Sequence, residues 1–225
     1  MSGLFNLTGK SAIVTGASSG LGRQFALALA REGADVAILA RRVEKLESVK
    51  AEIESLGVQC LAVKCDVLNN ENIKNAVAQV KNHFRKIDIL VNNAGIALFG
   101  PAEEQSDELW RAMVDMNLSS VYFVAREVGK VMIENNYGKI INTGSIHSTV
   151  AMPGLPLTAY CSTKGAVEML TKSLANEWAK YNITVNAIGP AYFPSEMTGE
   201  LVTNEDFLKV IATYCPMGRP GREGE

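Results

Sequence analysis

The chain has 225 residues, 47% of them hydrophobic and 20% charged, enough for one α/β domain with a sizeable core. With 22 basic against 24 acidic residues the formal charge is −2, which gives no electrostatic basis for binding nucleic acid or an anionic membrane. No apolar run approaches the roughly 20 residues needed to cross a bilayer.

Ser11 to Thr15 is a short apolar run that ends in glycine and reads as a buried strand. Leu21 to Arg31 follows as a helix, then Asp35 to Leu39 as a second strand. Leu46, Val49, Ile53 and Leu56 recur at helical spacing over Val43 to Leu56, and Gly57 stops that helix. Gln59 to Val63 is a third strand, and Ile73, Val77, Val80 and Phe84 mark the next helix. Ile87 to Val91 is a fourth strand. One long helix is predicted over Asp115 to Glu134, a fifth strand over Lys139 to Thr143, a helix over Ala159 to Lys180 and a sixth strand over Ile183 to Ile188. This alternation predicts parallel βαβ units with right-handed crossovers, a doubly wound Rossmann-type sheet. The strands are solidly apolar, as strands covered on both faces are. No repeat, low-complexity tract or linker divides the chain, so residues 1–225 are read as one domain.

Met1-Ser2-Gly3-Leu4-Phe5-Asn6 lacks the basic-then-apolar pattern of a secretory signal. Cys60, Cys65, Cys161 and Cys215 show no CxxC spacing, and His83 and His147 are the two histidines. Disulfides and a metal site are not expected, and a cytoplasmic location is.

The first candidate site lies between the first strand and the first helix, in Thr15-Gly16-Ala17-Ser18-Ser19-Gly20-Leu21-Gly22. Gly16 allows a sharp turn, Gly20 lets a pyrophosphate approach the backbone, and Gly22 lets the helix pack closely on the sheet. The helix N-terminus offers free N–H groups to phosphate, so Ser18, Ser19 and Leu21 join the glycines as candidate contacts. A turn without a ligand is the competing reading. Further candidates follow later strands. Asp66-Val67 stands after the third strand, where Asp66 accepts from an adenine amino group or caps the next helix. Asn92-Asn93-Ala94-Gly95 stands after the fourth, where Asn side chains tie strands and Ala94-Gly95 lies flat against a ribose, or the segment is a plain turn.

Tyr160 and Lys164 stand four residues apart on one helix face. A neighbouring ammonium favours a phenolate and lowers a phenol pKa from about 10, which would make Tyr160 a general acid/base. A solvated helix face is the alternative. The second strand ends in Leu39-Ala40-Arg41-Arg42. No carboxylate stands at Ala40 to hold ribose hydroxyls, and Arg41 can pair with a 2′-phosphate, with Arg42 beside it. NADP(H) is therefore favoured, with NAD(H) possible.

In order and spacing these motifs, with Ser145 after the fifth strand, resemble the short-chain dehydrogenases/reductases over about Leu7 to Glu225. Gly189 to Thr198 is similar to the gluconate 5-dehydrogenase branch, and bacterial 3-oxoacyl reductases and hydroxysteroid dehydrogenases share much of it. The resemblance implies an oxidoreductase interconverting a secondary alcohol and a ketone, on a sugar acid or polyol. Tyr160 would be the acid/base, Lys164 would bind the nicotinamide ribose, Ser145 would hold the substrate oxygen, and Asn117 would bend its helix and hold a relay water. Pro190, Phe193 and Ser195 fall at carboxamide and phosphate contacts. A 3-oxoacyl or hydroxysteroid reductase is the second enzyme reading, and a non-catalytic dinucleotide sensor the reading from another class.

Ser145 lies two residues further from Tyr160 than the resemblance implies, which leaves Ser148 as an alternative and His147 as a loop histidine facing solvent or substrate. Ala191 replaces a glycine, which would strain the loop at positive φ. Arg219 to Glu225 reads as the start of a helix where relatives continue into a further strand. The sixth strand is then an exposed edge, so either the sequence is a fragment or a truncation or another chain covers that edge, and a homo-oligomer (tetramer or dimer) is expected.

Overall fold

The computed structural model describes residues 5–199 and 201–225; residues 1–4 of the N-terminal stretch discussed above lie outside it. Six strands form one parallel sheet in the order β3-β2-β1-β4-β5-β6. They are β1 (Ser11–Thr15), β2 (Asp35–Ala40), β3 (Cys60–Lys64), β4 (Ile89–Asn92), β5 (Gly138–Thr143) and β6 (Ile183–Ile188). The helices are α1 (Gly20–Arg31), α2 (Val43–Glu54), α3 (Asn70–Phe84), α4 (Asp107–Val114), α5 (Ser120–Glu134), α6 (Thr158–Trp178) and α7 (Glu205–Tyr214). The predicted doubly wound sheet is observed.

Alternation along each strand feeds two cores. Ala12, Val14, Val36 and Ile38 pack with Leu27, Leu46, Val49 and Ile53 on the α1–α2 face. Ile13, Ala37, Leu39 and Ile140 pack with Val77, Val80, Val124, Val128 and Leu174 on the face covered by α3, α5 and α6. Strand order reverses between β1 and β4, and open α/β sheets bind ligands in the crevice at such a point.

Three predicted elements need correction. The long helix begins at Asp107, not Asp115, because Ser106 caps it by accepting from Leu109 N, and it passes through a π-helical turn at Asp115–Ser119. Helix α7 had no sequence assignment; Asn204 caps it and Phe207 and Ile211 bury its inner face. The segment read as a nascent helix after Arg219 forms turns instead. The Arg219 guanidinium bonds the Glu225 carboxylate at 2.8 and 2.9 Å, and Gly221 N donates to Tyr192 O at 2.9 Å. Strand β6 pairs with β5 and is an edge among the described residues. None of the described helices is long and apolar enough to cross a membrane.

Candidate active site

A cavity of about 710 Å³ opens along the C-terminal ends of the strands. It runs from Arg41, Arg42 and Asp66 past the glycine turn and Asn93 to Ser145 and Tyr160. Its size is that of a small-molecule or cofactor site.

The phosphate end is built by close approach. Gly16 has φ +65°, and a methyl there would stand 2.9 Å from Ala94 Cα. A methyl on Gly22 would stand 2.3 Å from the Gly16 oxygen, so α1 packs on the turn as closely as glycine permits. Ser19 makes no side-chain cap to α1 and no acidic residue sits in its first turn, which leaves N–H groups and a positive helix end for an anion. Gly20, Leu21 and Ser18 line the cavity beside them. Thr15 Oγ1 accepts from Asn93 N (2.9 Å) and Ala94 N (3.1 Å), and Asn93 Nδ2 donates to Thr15 O (3.1 Å). These bonds tie β1 to β4 and hold Ala94 and Gly95 against the crevice. The residues present therefore fit a dinucleotide.

Asp66 and Val67 line the cavity. The competing cap role for Asp66 does not hold, because Asn69 caps α3 while Asp66 Oδ1 accepts from Leu68 N. Arg41 and Arg42 both face the cavity, but Arg42 is the one that reaches the glycine turn, donating to Ser18 Oγ (3.1 Å) and Ser19 Oγ (3.2 Å). Pro190, Phe193 and Ser195 line the opposite wall. Ala191 is not among the residues with positive φ, so the expected loop strain does not arise.

The other end gathers Tyr160, Lys164, Ser145 and Asn117. Asn117 is fully buried in the π turn and pairs with both backbone groups of one residue, accepting from Ile96 N and donating to Ile96 O, each at 2.9 Å. It also donates to Thr163 Oγ1 at 3.3 Å, joining α6 to the loop after β4. Ser145 lines the cavity, while Ser148 does not; the Ser148 hydroxyl accepts from Ser145 N at 3.2 Å and faces a separate groove along β6. Of the two serines, Ser145 is the one that lines the cavity.

One electrostatic expectation is corrected. Burial pushes the Tyr160 phenol up from its ordinary pKa, against a lowering hydrogen bond from Ser145, so it is not lowered. Lys164 Nζ lies 5.7 Å from the Tyr160 ring centre and donates to Thr143 O at 2.7 Å, too far and too engaged to outweigh desolvation. Burial in turn pulls Lys164 down to about 8. His147, expected to face solvent or substrate, lines the cavity and is largely buried. Its Nδ1 meets the Val150 carbonyl at 2.9 Å and its Nε2 meets the Tyr192 hydroxyl at 2.7 Å. A carbonyl only accepts, so Nδ1 donates to Val150 O. Sequence reading missed the His147–Tyr192 pair, since 45 residues separate its members. It also missed Lys45, which lies one helical turn beyond Arg41 and Arg42 and so was legible from spacing.

Residues 10–206 match the family model described as short chain dehydrogenase. Gluconate 5-dehydrogenase of Gluconobacter oxydans (strain 621H) is 39% identical over 222 residues, 99% of this chain and 86% of that protein. The 2-dehydro-3-deoxy-D-gluconate 5-dehydrogenase of Pseudoalteromonas atlantica (strain T6c / ATCC BAA-1087) is 38% identical over 218 residues, 96% of this chain and 85% of that protein. A gluconate 5-dehydrogenase from Burkholderia cenocepacia J2315, solved in complex with NADP and tartrate, superposes with a TM-score of 0.92 at 35% identity, covering 97% of this chain and 85% of that one. The glycine turn, the crevice and the Ser145–Tyr160–Lys164 end are thus parts of a chain that belongs to the short-chain dehydrogenase/reductase family.

Proposed function

We propose that this oxidoreductase interconverts a secondary alcohol and a ketone on a sugar acid or polyol, with NADP(H) favoured over NAD(H). The observation that carries the reading is one continuous cavity joining a phosphate-accepting helix end to a half-buried Tyr160 and a buried Ser145. Gly16 to Gly22 would hold the pyrophosphate, Asn93 to Gly95 and Lys164 the nicotinamide ribose, and Pro190, Phe193 and Ser195 the carboxamide and phosphates. When bound, the nicotinamide supplies the hydride chemistry. Tyr160 exchanges a proton with the substrate oxygen, and its raised pKa sets it up as a donor toward a carbonyl at neutral pH. Ser145 Oγ holds that oxygen in line with the phenol. Lys164 adds a positive field that makes a phenolate less costly when the proton moves the other way. Arg41 and Arg42, at the adenosine end, favour a ribose 2′-phosphate. We place the enzyme in the cytoplasm, which its four free thiols suit, and as a homo-oligomer.

A panel of 5-keto sugar acids, polyols, 3-oxoacyl thioesters and hydroxysteroids, each with NADPH or NADP⁺ and NADH or NAD⁺, tests this. The highest kcat/KM is expected for a sugar acid or polyol. A 3-oxoacyl thioester or steroid at the top of the ranking would overturn the substrate class. Cofactor binding without turnover of any compound would favour the sensor reading.

A further inference from the structure

Glu196 has no task in the reaction as derived, yet it sits at the adenosine end of the cavity. It belongs to the loop after β6, 154 residues from Arg42 in sequence. Its Oε2 accepts from Arg42 Nη2 at 2.7 Å, and its Oε1 accepts from Lys45 Nζ. The same Arg42 nitrogen reaches Ser18 and Ser19 in the glycine turn. One carboxylate therefore ties the loop after β6 to the first turn of α2 and to the phosphate-binding turn. The Arg42 guanidinium, followed by the Lys45 ammonium, holds the Glu196 carboxyl well below the usual carboxylate range, so it is an anion at any working pH.

An anion seated on these two cations has a consequence for the ligand. A ribose 2′-phosphate is a second anion that seeks the same partners: a guanidinium fork and an ammonium at the end of β2. Two anions on one cation pair repel, and one must leave. A ribose with free hydroxyls brings no charge, and a carboxylate can stay and accept from it. We propose that Glu196 is a specificity-determining residue whose carboxylate competes with the 2′-phosphate for Arg42 and Lys45, selectively weakening NADP(H) and releasing its loop when the phosphate takes those cations. The proposal rests on the dinucleotide reading above and deepens it: the arginines set a preference for NADP(H), and Glu196 blunts it.

The test is fluorescence titration of NADPH and NADH into the full chain at fixed ionic strength, unmodified and as Glu196→Gln. The side chain is 49% exposed, so the change does not disturb the core. Removing the competitor is expected to tighten NADPH about fivefold, the scale of a surface ion pair, and to move NADH by less than about twofold. Adenosine 2′,5′-bisphosphate, which carries the phosphate without nicotinamide, is expected to tighten by the same factor. Weaker or unchanged NADPH binding, or equal shifts for both dinucleotides, overturns the competition while leaving the cofactor reading intact. If neither dinucleotide binds the unmodified protein, the cofactor reading falls and the competition falls with it.

Discussion

Tyr160 and Lys164 divide their work by environment. The phenol is buried enough to stay protonated, and the lysine is buried enough to release its proton near pH 8. The lysine shift has a sign that stability can report. Its amine binds a proton up to pH 10.5 when unfolded but only to about pH 8 when folded. Between those values the unfolded chain holds more protons, so stability rises with pH; the penalty is complete below pH 8 and absent above 10.5. A Lys164→Met variant lacks this dependence. Across that window the melting temperature of the unmodified protein is expected to climb relative to the variant, and to run parallel to it from pH 6 to 7.5. Parallel curves throughout would show that the buried amine does not titrate as described. The pair itself was legible in the four-residue spacing. What the spacing hid was depth: a sequence shows two residues on one helix face and not how far that face is from water.

At the scale of elements, the crevice depends on how closely α1 sits on the turn after β1. A Gly22→Ala methyl meets the Gly16 carbonyl and Asn93 Nδ2, at 2.3 and 2.6 Å, and neither can yield without breaking the bonds that join β1 to β4. Overpacking of this kind costs about 3 kcal/mol, so calorimetry should show a melting temperature lower by about 6–10 °C together with weakened dinucleotide binding. A variant that melts within a degree of the original would mean that α1 can slide outward freely. The glycine turn was readable because strand, turn and helix signals fell in one stretch. The resemblance pointed to a bend at Asn117, but the π-helical form of Asp115–Ser119 was not readable, because it goes with bonds from Asn117 to Ile96 and Thr163 on other elements. Helix α7 went unread although it was legible, since Phe207, Ile211 and Tyr214 recur at helical spacing and Asn204 stands at its cap.

Over the whole molecule, solid apolar strands alternating with amphipathic helices specify the sheet, and both cores follow that pattern. Pairings across long separations were not legible: His147 with Tyr192, and Glu196 with Arg42 and Lys45, arise only when the loop after β6 folds back over the crevice. The near-neutral charge fits a protein whose chemistry is concentrated in one cleft and not spread over a charged surface. The central claim is that this cleft holds a dinucleotide at one end and moves a proton through Tyr160 at the other. Its most direct measurement is Tyr160→Phe, assayed for single-turnover ketone reduction and for NADPH affinity on the same preparation. Turnover should fall by about a thousandfold or more, while the NADPH Kd stays within about twofold. Turnover that survives the loss of the hydroxyl would contradict the account.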